Sequence, residues 1–125
     1  MTKDKQMLRK IFEMQCEICK AVAHPLRLEI VEHLSKNEMG AGALLSALGT
    51  SKANLSKHTT QLIRAGIVDQ RRDGRRVYYR LTNPEIHEAC SLIRSILYRR
   101  LKRDEELASA IRPTRTGRRR ALSIS

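Results

Sequence analysis

A chain of 125 residues with one Phe, three Tyr and no Trp makes a single domain with a thin core, one expected to pair with a second copy of itself. Its 25 Lys and Arg against 13 Asp and Glu leave a formal charge of +12, which selects a polyanion as partner, and the shortage of aromatics favours duplex DNA over stacked single strands. No apolar run reaches membrane-spanning length and the first ten residues do not read as a signal peptide, so a cytoplasmic protein is expected, with no membrane partner and its three cysteines as thiols.

From Lys5 to Lys20, Leu8, Ile11, Phe12, Ile18 and Cys19 recur at helical spacing, continued by Val22. The reading is a first helix with one buried stripe. His24-Pro25 breaks it, because the residue before proline is pushed out of the helical region and proline suits the first turn of a new helix. That second helix carries Leu26, Leu28, Ile30, Val31 and Leu34, and Met39-Gly40-Ala41-Gly42 reads as a loop.

Next come a short apolar helix, Ala43 to Leu48, a Gly49 turn, and a helix from Ser51 to Ala65 closed by Gly66. Helix, tight turn, helix is a DNA-binding arrangement when the second helix presents a polar face. Leu55, Thr59, Leu62 and Gly66 share one side of the wheel with His58 at its edge, and Ala53, Asn54, Ser56, Lys57, Thr60 and Arg64 point away. Amides and hydroxyls read base edges, and cations reach guanine or phosphate. The plain alternative is a solvated helix surface.

The next segment weighs against that alternative. Two β-prone runs between Asp69 and Leu81 flank Asp73-Gly74, expected as the two central residues of a hairpin. Arg71, Arg72, Arg75, Arg76 and Arg80 crowd this ribbon, a density of like charge that a polyanion would neutralise. Val77 and Tyr79 alternate with Arg76, Tyr78 and Arg80, so one side can pack inward. Asn83-Pro84-Glu85 then starts a long helix whose seam is Ile86, Cys90, Ile93, Leu97, Leu101, Ala108 and Ile111. With the first helix it forms a natural dimerisation layer.

The fold class is therefore mostly α with a small β-hairpin wing: a winged helix-turn-helix of four helices, two strands and a fifth helix, dimeric through its first and last helices. Residues 1–111 make the DNA-binding and dimerisation domain, and 112–125, with five arginines and no acids, read as a disordered basic tail. Paired catalytic carboxylates, a Ser-His-Asp set and a phosphate-cradling glycine loop are all missing from the sequence, so no enzyme is expected.

Three strings, Ala23-His24-Pro25-Leu26-Arg27-Leu28-Glu29-Ile30-Val31, Ser51 to His58 with Leu62 and Ala65 to Val68, and Arg72 to Leu81, resemble the ArsR/SmtB family of bacterial winged-helix repressors over about residues 7 to 100. The resemblance implies a homodimer on an inverted-repeat operator, released when a metal, metalloid or thiol-reactive inducer binds. It places Ser51, Ser56 and His58 in the recognition-helix pattern, with Lys52, Asn54 and Lys57 at its sequence-reading positions and Thr60 beside them. The arsenic-sensing cysteine pair is absent, replaced by Gly40-Ala-Gly-Ala-Leu-Leu. Zinc-sensing positions on the last helix are poorly matched, since His87 is its only histidine and Asp104, Glu105 and Glu106 lie far along it.

The candidate sensing residues are then Cys16 and Cys19, one turn apart on the first helix, and Cys90 on the last. Each has a bland reading as a small buried hydrophobe. Two functional readings compete with it. Cys90 links to Cys16 or Cys19 under oxidant, persulfide or polysulfide, with Lys20 favouring the thiolate. Alternatively the three thiolates bind arsenite, antimonite, cadmium or lead, with His87 as an extra ligand. No resident cofactor is expected. The remaining readings are an architectural DNA binder without an inducer and a redox-responsive activator.

Overall fold

Local sequence signals account for most element boundaries in the computed structural model, which describes residues 2–111. The helices are α1 (Lys3–Val22), α2 (Pro25–Leu34), α3 (Ala41–Leu48), α4 (Lys52–Arg64) and α5 (Glu85–Ile111), and the strands β1 (Met39–Gly40), β2 (Val68–Asp73) and β3 (Arg76–Leu81). Thr2 caps α1 by accepting from the Lys5 N–H, and the Ser51 hydroxyl caps α4 by accepting from the Asn54 N–H. These side chains satisfy donors that the first turn of a helix leaves open. Between α3 and α4 the chain turns at Gly49, with φ +65°. At the end of α4, Gly66 takes φ +77°, Ile67 N–H donates to Leu62 C=O and Gly66 N–H to Ile63 C=O. That pair of hydrogen bonds, with a left-handed glycine, stops the helix cleanly. Gly66 therefore lies past the helix and is exposed, not on its inward face.

The sheet corrects the expected pair of strands. Met39-Gly40 is not loop but a third strand, and the order is β1-β3-β2, all antiparallel, with Met39 opposite Tyr79 and Gly40 opposite Tyr78. The β2–β3 register runs from Val68 opposite Leu81 to Asp73 opposite Arg76. The turn's central residues are thus Gly74 and Arg75, one position later than expected. Only Gly74 has positive φ, +66°, which suits a turn needing that conformation at its first central position alone.

The chain divides into two units, to residue 86 and from residue 87. In the first, Leu26, Ile30, Val31 and Leu34 of α2, Leu44 of α3, Leu55 and Leu62 of α4, and Ile67, Val68 and Tyr79 form one core, joined by Ala21 at the end of α1. The rest of α1 departs from expectation. Its stripe of Leu8, Ile11, Phe12 and Ile18 is exposed rather than buried, as are Met7 and Met14. The second unit is helical throughout its described residues; of its expected seam Ile93, Leu97 and Leu101 are exposed, as are Leu92, Ile96 and Leu107 beside it, while Cys90 is buried. Among the described residues no helix is long and apolar enough to cross a membrane. The expected basic tail, 112–125, lies outside the described residues.

Candidate nucleic-acid interface

The polar side of α4 is presented as the wheel requires. Ser51, Lys52, Ala53, Ser56, Lys57 and Arg64 are exposed, and Asn54 and Thr60 half-buried. Opposite them, Leu55, Thr59 and Leu62 are buried, with the Thr59 hydroxyl donating to Leu55 C=O. Asn54 donates from Nδ2 to Thr50 Oγ1 at 2.9 Å, which holds its amide at the head of the helix. A helix whose outward face holds two lysines, an amide and hydroxyls at its N-terminal half is shaped to enter a major groove end first.

His58 is the exception among the expected recognition residues. Its side is the inward one, 3% exposed. Its Nδ1 accepts from Arg27 Nε at 3.0 Å, and its ring lies 4.2 Å from that of His24, tilted by 35°. Burial, with the positive charges of His24, Arg27 and Lys57 as further causes, pushes its pKa below the usual histidine value. The ring is a core member, not a base contact. Burial follows from its position three residues after Leu55 and four before Leu62, inside the apolar stripe.

The wing separates into two groups of arginines. Arg72, Arg75 and Arg76 are exposed at its outer end, and none of the three is in an ion pair among the described residues. Arg71 is engaged at the root: Nε and Nη2 donate to the two carboxylate oxygens of Glu38, each at 2.8 Å, and its Cζ stands 4.4 Å from the centre of the Tyr78 ring. The hydrogen bonds from Arg71 hold the Glu38 carboxyl below its ordinary pKa, and the guanidinium is raised in turn, chiefly by the same bonds. Arg80 pairs with Asp69 at 3.1 Å. Charge density alone groups Arg71 with the DNA contacts and gives no sign of Glu38, because the Met39-Gly40 strand that sets Glu38 beside β3 reads from sequence as loop.

Cys16 and Cys19 are exposed on α1, and Cys90 is buried on α5. All three are thiols. Lys20, expected to favour the reactive thiolate, lies 3.6 Å from Glu17, so part of its charge is offset locally. His87 is half-buried near the start of α5. Among the described residues no three His, Cys, Asp or Glu side chains form a group able to hold a metal ion.

This arrangement has relatives. A family model described as a helix-turn-helix domain matches residues 22–71. The chain is 37% identical over 90 residues to an HTH-type transcriptional regulator of Mycobacterium tuberculosis, Rv0081, covering 71% of this chain and 79% of that one. The crystal structure of Rv0081 superposes with a TM-score of 0.67 at 36% identity, covering 75% and 95% of the two chains. The transcriptional activator HlyU of Vibrio cholerae is 36% identical over 76 residues, 61% of this chain and 70% of HlyU. A homodimeric winged helix-turn-helix DNA-binding domain from Mycobacterium bovis, Mb0332, described as a possible ArsR-family regulator, superposes with a TM-score of 0.68 at 25% identity, over 82% and 93%. The relatives at these identities are transcriptional regulators.

Proposed function

The chain belongs to the ArsR-type family of winged helix-turn-helix transcriptional regulators, and from that premise we propose that it is a homodimeric repressor of an inverted-repeat operator, released by thiol chemistry. The observation that carries the reading is that the polar face of α4 and the wing-tip arginines Arg72, Arg75 and Arg76 are both exposed in one unit of the chain, which leaves one element free to read bases and the other to hold phosphates. Two such helices in a dimer would enter successive major grooves about 34 Å apart. Dimerisation has its own support. The open apolar rows of α1 and α5 are larger than a monomer's scattered surface residues explain, and Mb0332 is homodimeric.

Support for the thiol reading is the exposure of Cys16 and Cys19 on the apolar face of α1. Linking either to Cys90 removes two protons and two electrons, taken up by an oxidant or polysulfide. Such a bond would reset the spacing of the two readers. To clear an operator it must favour the non-binding state by several kcal/mol, about 5.5 for a complete reversal of populations.

The test is operator selection from a random DNA pool. It is followed by mobility shift with polysulfide, a thiol oxidant, arsenite and cadmium on the parent and on Cys16→Ser, Cys19→Ser and Cys90→Ser. A two-fold symmetric site released by oxidant or polysulfide, and retained in a cysteine variant, supports the proposal. Recovery of no preferred site indicates an architectural binder. Release by arsenite or cadmium alone assigns the thiols to a soft ion, and indifference to every treatment removes the cysteines from sensing. HlyU is an activator by name, so a promoter-reporter assay fixes the sign of regulation.

A further inference from the structure

Arg27, in the first turn of α2, joins the end of α1 to the middle of α4. Its Nη1 donates to the Ala21 carbonyl at 3.1 Å and its Nε to His58 Nδ1 at 3.0 Å. Ala21 lies in the last turn of α1, where carbonyls lack helical partners. Beside this fork, His24 Nδ1 accepts from the Leu26 N–H at 3.1 Å, capping α2, while its ring packs on His58. We propose that Arg27 and His58 are positioning residues that fix the angle of the DNA-reading helix to α1, joined by a hydrogen bond that exists only while the His58 imidazole is neutral.

The chemistry of the two groups dictates the condition. A guanidinium is permanently charged and has donors only, so His58 must offer a lone pair at Nδ1 and carry its proton on Nε2. A second proton would set N–H against N–H. The groups whose charge acts on His58 are His24 and Arg27, from α2 and its cap, and Lys57 on α4 itself. β2, which also packs on α4, contributes none. All three are cations or become cations in acid, and α1 contributes a neutral carbonyl. Acid therefore opens the join without any carboxylate to hold it. Because α1 bears Cys16 and Cys19, the fork also lies on the covalent and hydrogen-bonded path from those thiols to α4, Cys19 being two residues before Ala21. The inference rests on the operator-reading role proposed above and not on the cysteine chemistry.

The experiment compares the parent with Arg27→Met, His58→Leu and His58→Asn by fluorescence anisotropy, on the selected operator and on random duplex, from pH 5.5 to 8. Asparagine places an acceptor where Nδ1 stands and takes no proton, whereas leucine fills the space without an acceptor. At pH 7.5 Arg27→Met and His58→Leu are expected to lose about ten-fold in operator affinity, the usual scale for a hydrogen bond to a charged donor, with unchanged affinity for random duplex. His58→Asn keeps parental operator affinity and lacks the parent's loss below pH 6.5. His24, His33 and His87 are kept in both proteins, so the difference between them is assigned to position 58. Parental operator affinity in Arg27→Met, or an acid loss in His58→Asn equal to the parent's, overturns the proposal. If Arg27→Met does not fold, the two His58 variants decide.

Nitrogen NMR of the imidazoles reads the join without DNA. The Nε2–H tautomer at His58, titrating closer to the usual histidine value in Arg27→Met, supports it, and an Nδ1–H tautomer overturns it. A parent that selects no operator fails the regulator reading, and the NMR result then stands separately.

Discussion

Arg71 is gripped by Glu38 through two parallel hydrogen bonds of 2.8 Å across 33 residues of sequence. A planar fork matched to a carboxylate is a geometric constraint more than a source of stability at an exposed site. The wing arginine held by Glu38 is therefore a brace, and Arg72, Arg75 and Arg76 toward the tip are the exposed ones left for the proposed phosphate contacts.

Replacing Arg75 or Arg76 by Ala should weaken binding to all sequences and reduce the log-log salt slope by about 0.9 for each phosphate that is no longer neutralised. Arg71→Ala should leave the slope at the parental value. Affinity measured across a salt series on operator and random duplex checks both statements. An equal fall in slope for Arg71→Ala would return that residue to the phosphate-binding group.

The same brace carries a pH signature. Glu38 has a lowered pKa in the folded chain, caused first by the hydrogen bonds from Arg71, so its contribution is complete above the ordinary carboxylate value near 4.5. It is lost as pH falls below that value toward the lowered one, because only the unfolded chain then takes up the proton. Glu38→Gln should remove this component of acid sensitivity, read from urea unfolding between pH 3 and 7.

Substituting Asn54 or Lys57 should change which operator is preferred, at about 1–3 kcal/mol for each base pair misread. Repeating the selection with each variant gives the answer directly. A uniform loss over all sequences would make them phosphate ligands.

Core and open face should respond in opposite ways to substitution. Leu62, fully buried, should cost about 2–5 kcal/mol as Leu62→Ala, measured by denaturant unfolding. Ile96→Glu, on the open row of α5, should leave the unfolding of the monomer nearly unchanged and weaken self-association, measured by sedimentation across a concentration series.

Helix order is legible in the sequence because its punctuation is local: Pro25 opens α2, Ser51 caps α4 and Gly66 ends it within a few residues of the segments they bound. Strand β1 is not, since Met39 and Gly40 are too short a run to show alternation and Gly40 has poor strand propensity. The hairpin's frame slips by one for a related reason, as Asp73 and Arg75 are equally polar and only backbone geometry distinguishes them. Periodicity also locates the apolar rows of α1 and α5 without saying what covers them. On the wheel His58 falls at the edge of the inward face, and it is the family resemblance rather than the wheel that counts it with the readers. Its partner Arg27 is 31 residues away, a distance across which a single sequence carries no pairing signal.

Strand β1 pairs only with Tyr78 and Tyr79, so β3 has a neighbour on each side at those two residues and one neighbour from Val77 outward. The ribbon is thus laid out as a leaf spring clamped at one end. Its three-stranded part carries Arg71, while Arg72, Arg75 and Arg76 lie on the two-stranded part, an arrangement marginal by itself. On the proposed reading, operators whose flanks differ in minor-groove width would be held by the same three side chains, leaving discrimination to the helix.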